Sequence, residues 1–290
     1  MFHVKHADLL RLPLGPDAAL VLRQRRPSQG VSSRFQSISV EDTYAFGALY
    51  SLDGDAMAAE VDEFMIHESL VHIPALSHPD PRRALVLGGG DGASARELLK
   101  HPGLDRIVVA ELDPDVVAMV CKHLPELPQG AFDADRVRQR LGDAAHTLAS
   151  AHQQGERFDL ILFDLTEADD PACAHLHQPD FLQLCAASLS PRGIIQVQLG
   201  SPFYQPGKVA SLYRRLGAVF PVLRVSLIHV PLYGGPWLLA ACTGADLAEP
   251  DEAALAGRLA ARGIHGLRYY NPALHLASRA LPNYIRDLLA

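Results

Sequence analysis

No two cysteines in this sequence are spaced for a metal or a bridge: Cys121, Cys173, Cys185 and Cys242 lie far apart, with no C-x-x-C among them. A zinc module and a disulfide framework are thereby excluded, and buried thiols in a reducing cytoplasm are expected. Long apolar runs are missing too. The N-terminal stretch MFHVKHADLLRLPLGPDAALVLRQRRP breaks its apolar residues with Pro or Asp within a few positions, so neither a signal peptide nor a membrane span is expected. Positive charge is also in short supply, 26 Lys+Arg against 33 Asp+Glu for a formal net charge of -7. Such a field repels polyphosphate and argues against nucleic acid as a partner while favouring small cations. Neither an internal repeat nor a low-complexity tract is present.

What remains is a chain of 290 residues, 48% hydrophobic, with enough apolar material for a substantial core. From Ala18 to Ala56 it reads as short extended pieces, AALVLRQ, RFQSISVED and YAFGALYSLDG, with a turn signal at Leu52-Asp53-Gly54. From Pro81 onward, apolar runs alternate with helical stretches: ALVLG, RIVVAEL, RVRQRLGD, FDLILFD and GIIQVQL each read as a strand. Strands apolar throughout are expected where both faces are covered, so the pattern predicts a Rossmann-like α/β fold with a doubly wound parallel sheet. VLRVSLIHVPLYG and PWLLAACTG read as a closing strand pair. The division falls in the proline-rich link between His67 and Pro81. Residues 1–76 form an antiparallel β module, with 1–17 expected outside its ordered part, and residues 77–290 form the α/β domain.

Gly88-Gly89-Gly90-Asp91-Gly92-Ala93 follows one predicted strand and opens a helix, matching G-x-G-x-x-A. Such a loop brings backbone close to a ligand and aims a helix N-terminus at it. Methyltransferase-type folds, dinucleotide enzymes and plain tight turns all use it. Asp91, however, puts a carboxylate where a pyrophosphate would sit, and two negative groups would repel. Glu111, at the end of the next strand, is placed to accept from both hydroxyls of a ribose. Asp143 can accept from an adenine amino group or simply cap a helix. Asp164 and Glu167 end the fourth strand, on the side where open α/β sheets bind ligands. A crevice lined by Asp91, Glu111, Asp143, Asp164 and Glu167, with no Lys or Arg among them, suits a positively charged nucleoside ligand.

In order along the chain stand Arg34-Phe35-Gln36, Leu52-Asp53-Gly54, Asp62-Glu63-Phe64 with His67-Glu68, His78-Pro79, the glycine loop, Glu111-Leu112-Asp113, Gly142-Asp143 and Asp164-Leu165-Thr166. Gln198, Ser201-Pro202, Tyr269-Tyr270-Asn271-Pro272 and Leu281-Pro282 complete the series. This ordered set resembles the polyamine aminopropyltransferases, the spermidine/spermine synthase family, from about Arg34 to Leu288. The resemblance implies two substrates, decarboxylated S-adenosylmethionine and a polyamine acceptor such as putrescine or spermidine, with no cofactor and no metal. It implies donor-site residues Gln36, Gly88, Gly90, Asp91, Glu111, Leu112, Asp143 and Ala144. On the acceptor side it implies His67, Asp91, Asp164, Glu167 and Gln198, with Asp170 a weaker candidate beside a solvated-loop reading. It also implies a homodimer or homotetramer. The acceptor nitrogen must lose a proton before it attacks; at an alkylammonium pKa of about 10.4, this costs roughly 4–5 kcal/mol at neutral pH. Asp164 is the expected base.

The acceptor side departs from the family's usual pattern. Met57 stands for Gln, Ile66 for Tyr and Glu167 for Asp; the usual Tyr-Pro-Ser-Gly stretch reads Leu232-Tyr233-Gly234-Gly235, and Gly200 lacks the usual acid. Met57 and Ile66 are expected to make the pocket wall more apolar. Outside the aminopropyltransferases, a non-catalytic polyamine or nucleoside binder, an S-adenosylmethionine-dependent methyltransferase and an NAD-dependent dehydrogenase are the competing readings.

Overall fold

The computed structural model of the chain describes residues 9–165, 170–244 and 247–290. Five strands, β1 (Leu9–Gly15), β2 (Ala18–Ser32), β3 (Ser37–Thr43), β4 (Gly47–Leu52) and β5 (Asp55–Ala59), pair in sequence order as an antiparallel sheet. β1 lies within the residues expected outside the ordered module; it pairs from Leu9↔Arg23 to Gly15↔Ala18. The Leu52-Asp53-Gly54 turn is where the sequence puts it. Asp53 and Gly54 both have positive φ, 49° and 92°, the backbone a two-residue hairpin between right-twisted strands requires.

Helix α1 (Glu63–Ser77) follows, in the segment where the sequence suggested a proline-rich link. It is buried on nearly every side, from Glu63 to Leu76, so it lacks the one-sided apolar stripe by which surface helices are recognised. Glu68 on this helix accepts backbone N–H groups from Arg268, Tyr269 and Tyr270, each at 2.8 Å. That accounts for the Tyr-Tyr-Asn-Pro motif: it is the segment threaded over a buried carboxylate. Arg262 gathers the carbonyls of Ala75 in the last turn of the helix and of His78 and Pro79 beyond it, satisfying acceptors that a helix end leaves open.

The second sheet contains β6 (Arg83–Gly88), β7 (Arg106–Glu111), β8 (Val137–Leu141), β9 (Phe158–Asp164), β10 (Leu189–Gly200), β11 (Val222–Val230) and β12 (Gly235–Thr243), in the order β11-β12-β10-β9-β6-β7-β8. Only β12 among these runs antiparallel, inserted between β10 and β11. The expected closing pair is therefore present, but β11 rather than β12 forms the edge. Side chains of β6 and β9 alternate between two cores. Leu85, Leu87, Ile161 and Phe163 enter one, and Ala84, Val86, Leu160 and Leu162 the other, which is why both strands read as unbroken apolar runs. Each large side chain so buried contributes about 1.5–3 kcal/mol of transfer free energy. β8, at the other edge, buries only Val137, and its Arg-Gln-Arg sequence discourages pairing with a further strand.

Helices α2 (Ala93–Leu99), α3 (Pro114–His123), α4 (Ala144–Gln153), α5 (Pro179–Ser188) and α6 (Pro206–Gly217) lie between the strands, and α7 (Glu252–Ala261), α8 (Pro272–Ala277) and α9 (Asn283–Leu289) close the chain. The N-terminal sheet packs Ile38, Val40, Tyr50 and Leu52 against Val116, Val120 and Leu124 in the α3 region. It thereby roofs the carboxyl ends of the parallel strands.

Candidate active site

Strand order reverses between β6 and β9, since β6 is followed outward by β7 and β8 on one side and β9 by β10 on the other. Ligand crevices of α/β sheets form at such a switch point. One cavity here is lined by Gln36, His67, Gly88, Gly90, Asp91, Glu111, Leu112, Asp143, Ala144, Asp164 and Gln198. These are all the site residues named from the sequence except Glu167, which lies outside the described residues, and the weaker candidate Asp170. From β10 across to β8 the strand ends present Gln198, Asp164, Asp91, Glu111 and Asp143 in spatial order. With neighbouring strands about 4.8 Å apart, the span from Asp164 to Asp143 is roughly 14 Å, the reach of a nucleoside with a short side chain.

The glycine loop is shaped by contacts that leave no room for side chains. A Cβ on Gly90 would lie 2.7 Å from Glu111 Oε2, and one on Gly88 would lie 2.2 Å from the Asp164 carbonyl oxygen. Glu111 Oε1 accepts from the Asp113 N–H at 2.8 Å. Burial raises its carboxyl to about 7 despite the backbone donors around it. Asp143 does two things at once. Its Oδ1 caps α4 through Ala145 N–H at 2.8 Å and also meets His175 Nε2 at 3.1 Å, and the residue still lines the cavity.

At the centre, His67 is 2% exposed and Asp91 3%. His67 Nδ1 lies 2.8 Å from the Glu63 carbonyl and 2.9 Å from Glu63 Oε2, and Nε2 lies 3.4 Å from Asp91 Oδ2. Ionised, every one of these partners only accepts, an arrangement that favours a proton on both ring nitrogens and so the imidazolium form. Burial opposes that charge, but Asp91 and Glu63 outweigh it and hold the His67 pKa well above its ordinary value. Asp91 also receives Tyr50 OH at 3.1 Å and Ala93 N–H at 2.9 Å. Burial pushes its carboxyl up, and the His67 charge with these donors more than reverses the push. Asp164 meets the opposite balance. Burial and the Asp91 charge raise it to about 6, and its Oδ2 has no hydrogen-bond partner. Two neighbouring acids are thus driven apart, one kept ionised and one poised near neutrality, which separates a charge anchor from a proton acceptor. His67, Asp91 and Asp164 bring one ligand atom each within 4.8 Å of one another, and the two carboxylates of the set suit ammonium groups.

Two sequence expectations are corrected, the place of Ile66 in the wall and a crevice without a cation. Ile66 lies in the core beside Leu70, Ile228 and Leu239 and does not line the cavity, because one residue on a helix turns by about 100° and His67 takes the inward position. Met57 does line it. Asp170 turns its Oδ1 onto Ala172 N–H at 2.8 Å and is absent from the described lining. The crevice also has a cation, Lys208 in the first turn of α6. Sequence reasoning passed over Tyr50, Tyr233 and Trp237, all in the lining. For Tyr50 a signal existed: it shares a strand face with Ala48 and Leu52, and a hydroxyl on an apolar face needs a partner.

Comparison with known proteins places this geometry. The family model described as the spermine/spermidine synthase domain matches residues 63–249. A polyamine aminopropyltransferase of Nitrosomonas europaea is 38% identical over 279 residues, covering 96% of this chain and 85% of that protein. One from Clostridium tetani is 33% identical over 276 residues, covering 94% of both. Among solved structures, a spermidine synthase in complex with the transition-state analogue AdoDATO superposes with a TM-score of 0.88 at 29% identity, covering 98% of this chain and 96% of the other. The spermidine synthase from Thermotoga maritima gives 0.86 at 30% identity, over 98% and 95% of the two chains.

Proposed function

This chain belongs to the spermine/spermidine synthase family and is an aminopropyltransferase, and from that premise we propose how its cavity does the chemistry. The reaction moves the aminopropyl group of decarboxylated S-adenosylmethionine to an amine and releases 5′-methylthioadenosine. Adenine lies against Asp143 and Ala144, the ribose hydroxyls donate to Glu111 beside Leu112, and the donor's ammonium rests on Asp91. Gln36 and the backbone of Gly88 and Gly90 complete the donor wall. The acceptor enters between His67, Asp164 and Gln198.

Its nitrogen lone pair attacks the methylene carbon bonded to sulfur. A C–N bond forms, the C–S bond breaks, and the bonding pair returns to sulfur, turning a sulfonium into a neutral thioether. The proton lost from nitrogen goes to Asp164. The observation that carries this reading is the split between Asp91, held ionised, and Asp164, raised to about 6 with a buried, unpartnered oxygen. A carboxylate with a pKa near the working pH accepts a proton more effectively than one locked as an anion.

Tyr233 and Trp237 line the acceptor end with ring centroids 4.7 Å apart, and Met57, Leu232 and Gly200 add no charge there. That wall supports an acceptor gripped along its methylenes, and the amine itself is left open among putrescine, spermidine and relatives. An acceptor screen decides it: purified protein with the decarboxylated donor and diamines of graded length, spermidine and other amines, reading methylthioadenosine release and product mass. Turnover with at least one amine is expected, and none across the panel would overturn the reading. No helix among the described residues is long and apolar enough to cross a membrane. Val21, Val31 and Tyr44 are exposed on the N-terminal sheet, which supports pairing of copies through that sheet.

Glu111 adds a pH dependence. With its carboxyl raised to about 7, the protonated form lacks the full charge that ribose hydroxyls seek. Affinity for 5′-methylthioadenosine is therefore expected to rise as pH increases through about 7, several-fold between pH 6 and 8. In Glu111→Gln the affinity should be weaker and flat across that window. Titration calorimetry at graded pH measures both, and a parent curve as flat as the variant's would refute the role.

A further inference from the structure

Behind His67 stands a second layer of buried charge that the chemistry above does not use. Glu63 Oε2 accepts from His67 Nδ1 and also from Arg96 NH2 at 2.9 Å. Arg96 rises from α2, the helix that the glycine loop opens. Its Nε donates to Glu97 Oε1 at 3.0 Å, and its NH1 donates to the carbonyls of Leu127 at 2.7 Å and Glu126 at 3.2 Å. Glu97 is anchored in turn by His72 Nε2 at 2.8 Å and by Lys100. The guanidinium is therefore gripped by two carboxylates and two carbonyls, and it fixes the Glu63 carboxylate under the imidazole. A histidine with an ionised carboxylate on one nitrogen is held in one orientation and has its proton affinity raised.

We infer that Glu63, fixed by Arg96, is a positioning residue that keeps His67 an imidazolium aimed at Asp91 and thereby holds Asp91 and Asp164 in different charge states. Glu63 touches no substrate and acts through His67. The inference deepens the proposed function and rests on it for the role of Asp164. Around His67 stand Glu63 and Asp62 on α1, Asp91 in the glycine loop and Asp164 at the end of β9; Tyr50 on β4 shares the Asp91 oxygen, and Tyr233 lies in the field of the same acids. Glu63→Gln removes one charge of this set and substitutes none of the other residues.

The sign of the effect follows from the imidazolium. His67 lowers the proton affinity of Asp164 while it is charged. Glu63→Gln keeps an oxygen for Nδ1 but deletes the charge, so His67 loses its proton at lower pH. Above that point Asp164 no longer faces a cation and holds its own proton more tightly. The acid limb of the kcat profile then moves to higher pH, by on the order of one unit.

Two measurements test this. Side-chain nitrogen NMR of the substrate-free protein, with the His67 signal assigned by its loss in His67→Gln, should find both ring nitrogens protonated at pH 7 in the parent and His67 titrating near neutrality in Glu63→Gln. The kcat–pH profiles of Glu63→Gln, His67→Gln and the double variant should shift the acid limb upward in Glu63→Gln, with no further shift when Glu63→Gln is added to His67→Gln. A neutral His67 at pH 7 in the parent overturns the inference, and so does an equal added effect of Glu63→Gln in both backgrounds, which marks a merely structural role. The NMR arm needs no turnover, so it decides the His67 question even if no amine is accepted, and it stands on the parent alone should the variant not fold.

Discussion

Asp164→Asn is expected to lower kcat by roughly 10²–10⁴-fold, the range associated with loss of a positioned general base, while making the protein more stable at neutral pH. The two effects share one cause. Asp164 is half-buried in the cavity wall with its Oδ2 out of contact with solvent, and burial together with the nearby Asp91 charge raises its carboxyl to about 6. In the unfolded chain the same group titrates near 3.9. The folded protein therefore binds this proton more tightly than the unfolded chain does, so stability falls as pH rises from about 4 to about 6 and stays lower above. Asn carries no charge to bury. The variant should melt at a higher temperature than the parent above pH 6, with the gap closing below pH 4. Donor affinity should be little changed, because the acids assigned to the nucleoside lie at or just beyond the ends of β6, β7 and β8. Residual turnover should lack the limb near pH 6 and climb with pH as free amine becomes available in solution. Thermal melts from about pH 3 to 8 and single-turnover rates across about pH 5–9 separate these outcomes. A variant with parental kcat would take Asp164 out of the chemistry.

The sheet was legible because parallel strands buried on both faces cannot hide. FDLILFD is β9 residue for residue, and ALVLG and RIVVAEL define β6 and β7 to within one residue. The acids were legible for a related reason: a charged residue that ends an apolar run must sit at a strand's carboxyl end, and topology gathers those ends. Less visible was whatever depends on another element's packing. Glu63 reads as an ordinary first-turn acid of a helix, and only the approach of α2 shows it held by Arg96. Tyr50 faces the glycine loop because the N-terminal sheet folds over it, a long-range fact with no local periodicity. Asp143 posed a choice between a helix cap and a ligand contact, and the structure gives it the cap together with a place in the cavity wall. The substituted position Ile66 misled because alignment with a pattern says which residue changed, whereas the helical rotation says where it points.

Gly88→Ala carries the largest expected effect on stability, and its contrast with two other glycines shows what the loop needs. Gly88 has φ +77°, and its added Cβ would meet the Asp164 carbonyl oxygen at 2.2 Å. That carbonyl also accepts the Gly89 N–H at 3.0 Å, so the obstacle is backbone and cannot swing aside. A left-handed conformation alone costs an alanine about 1–2 kcal/mol, and relieving the overlap requires β6 and β9 to part at the point where the base is mounted. A loss above about 3 kcal/mol and near-complete loss of turnover are expected. At Gly90 the added methyl would meet only the Glu111 carboxylate, between 2.7 and 2.9 Å, and φ is not left-handed. The fold should survive Gly90→Ala with less than about 1 kcal/mol of change, yet Glu111 must leave the ribose position, so methylthioadenosine affinity should drop at least about tenfold, or 1.4 kcal/mol. Gly257 lies inside α7 with nothing within 4 Å of its would-be Cβ, and Gly257→Ala should gain about 0.5–1 kcal/mol. Denaturant midpoints and nucleoside titrations on the three variants order them. Equal stability losses at Gly88 and Gly90 would mean that the loop's glycines serve flexibility in general; unequal ones tie Gly88 to the seat of the base and Gly90 to the seat of the ribose.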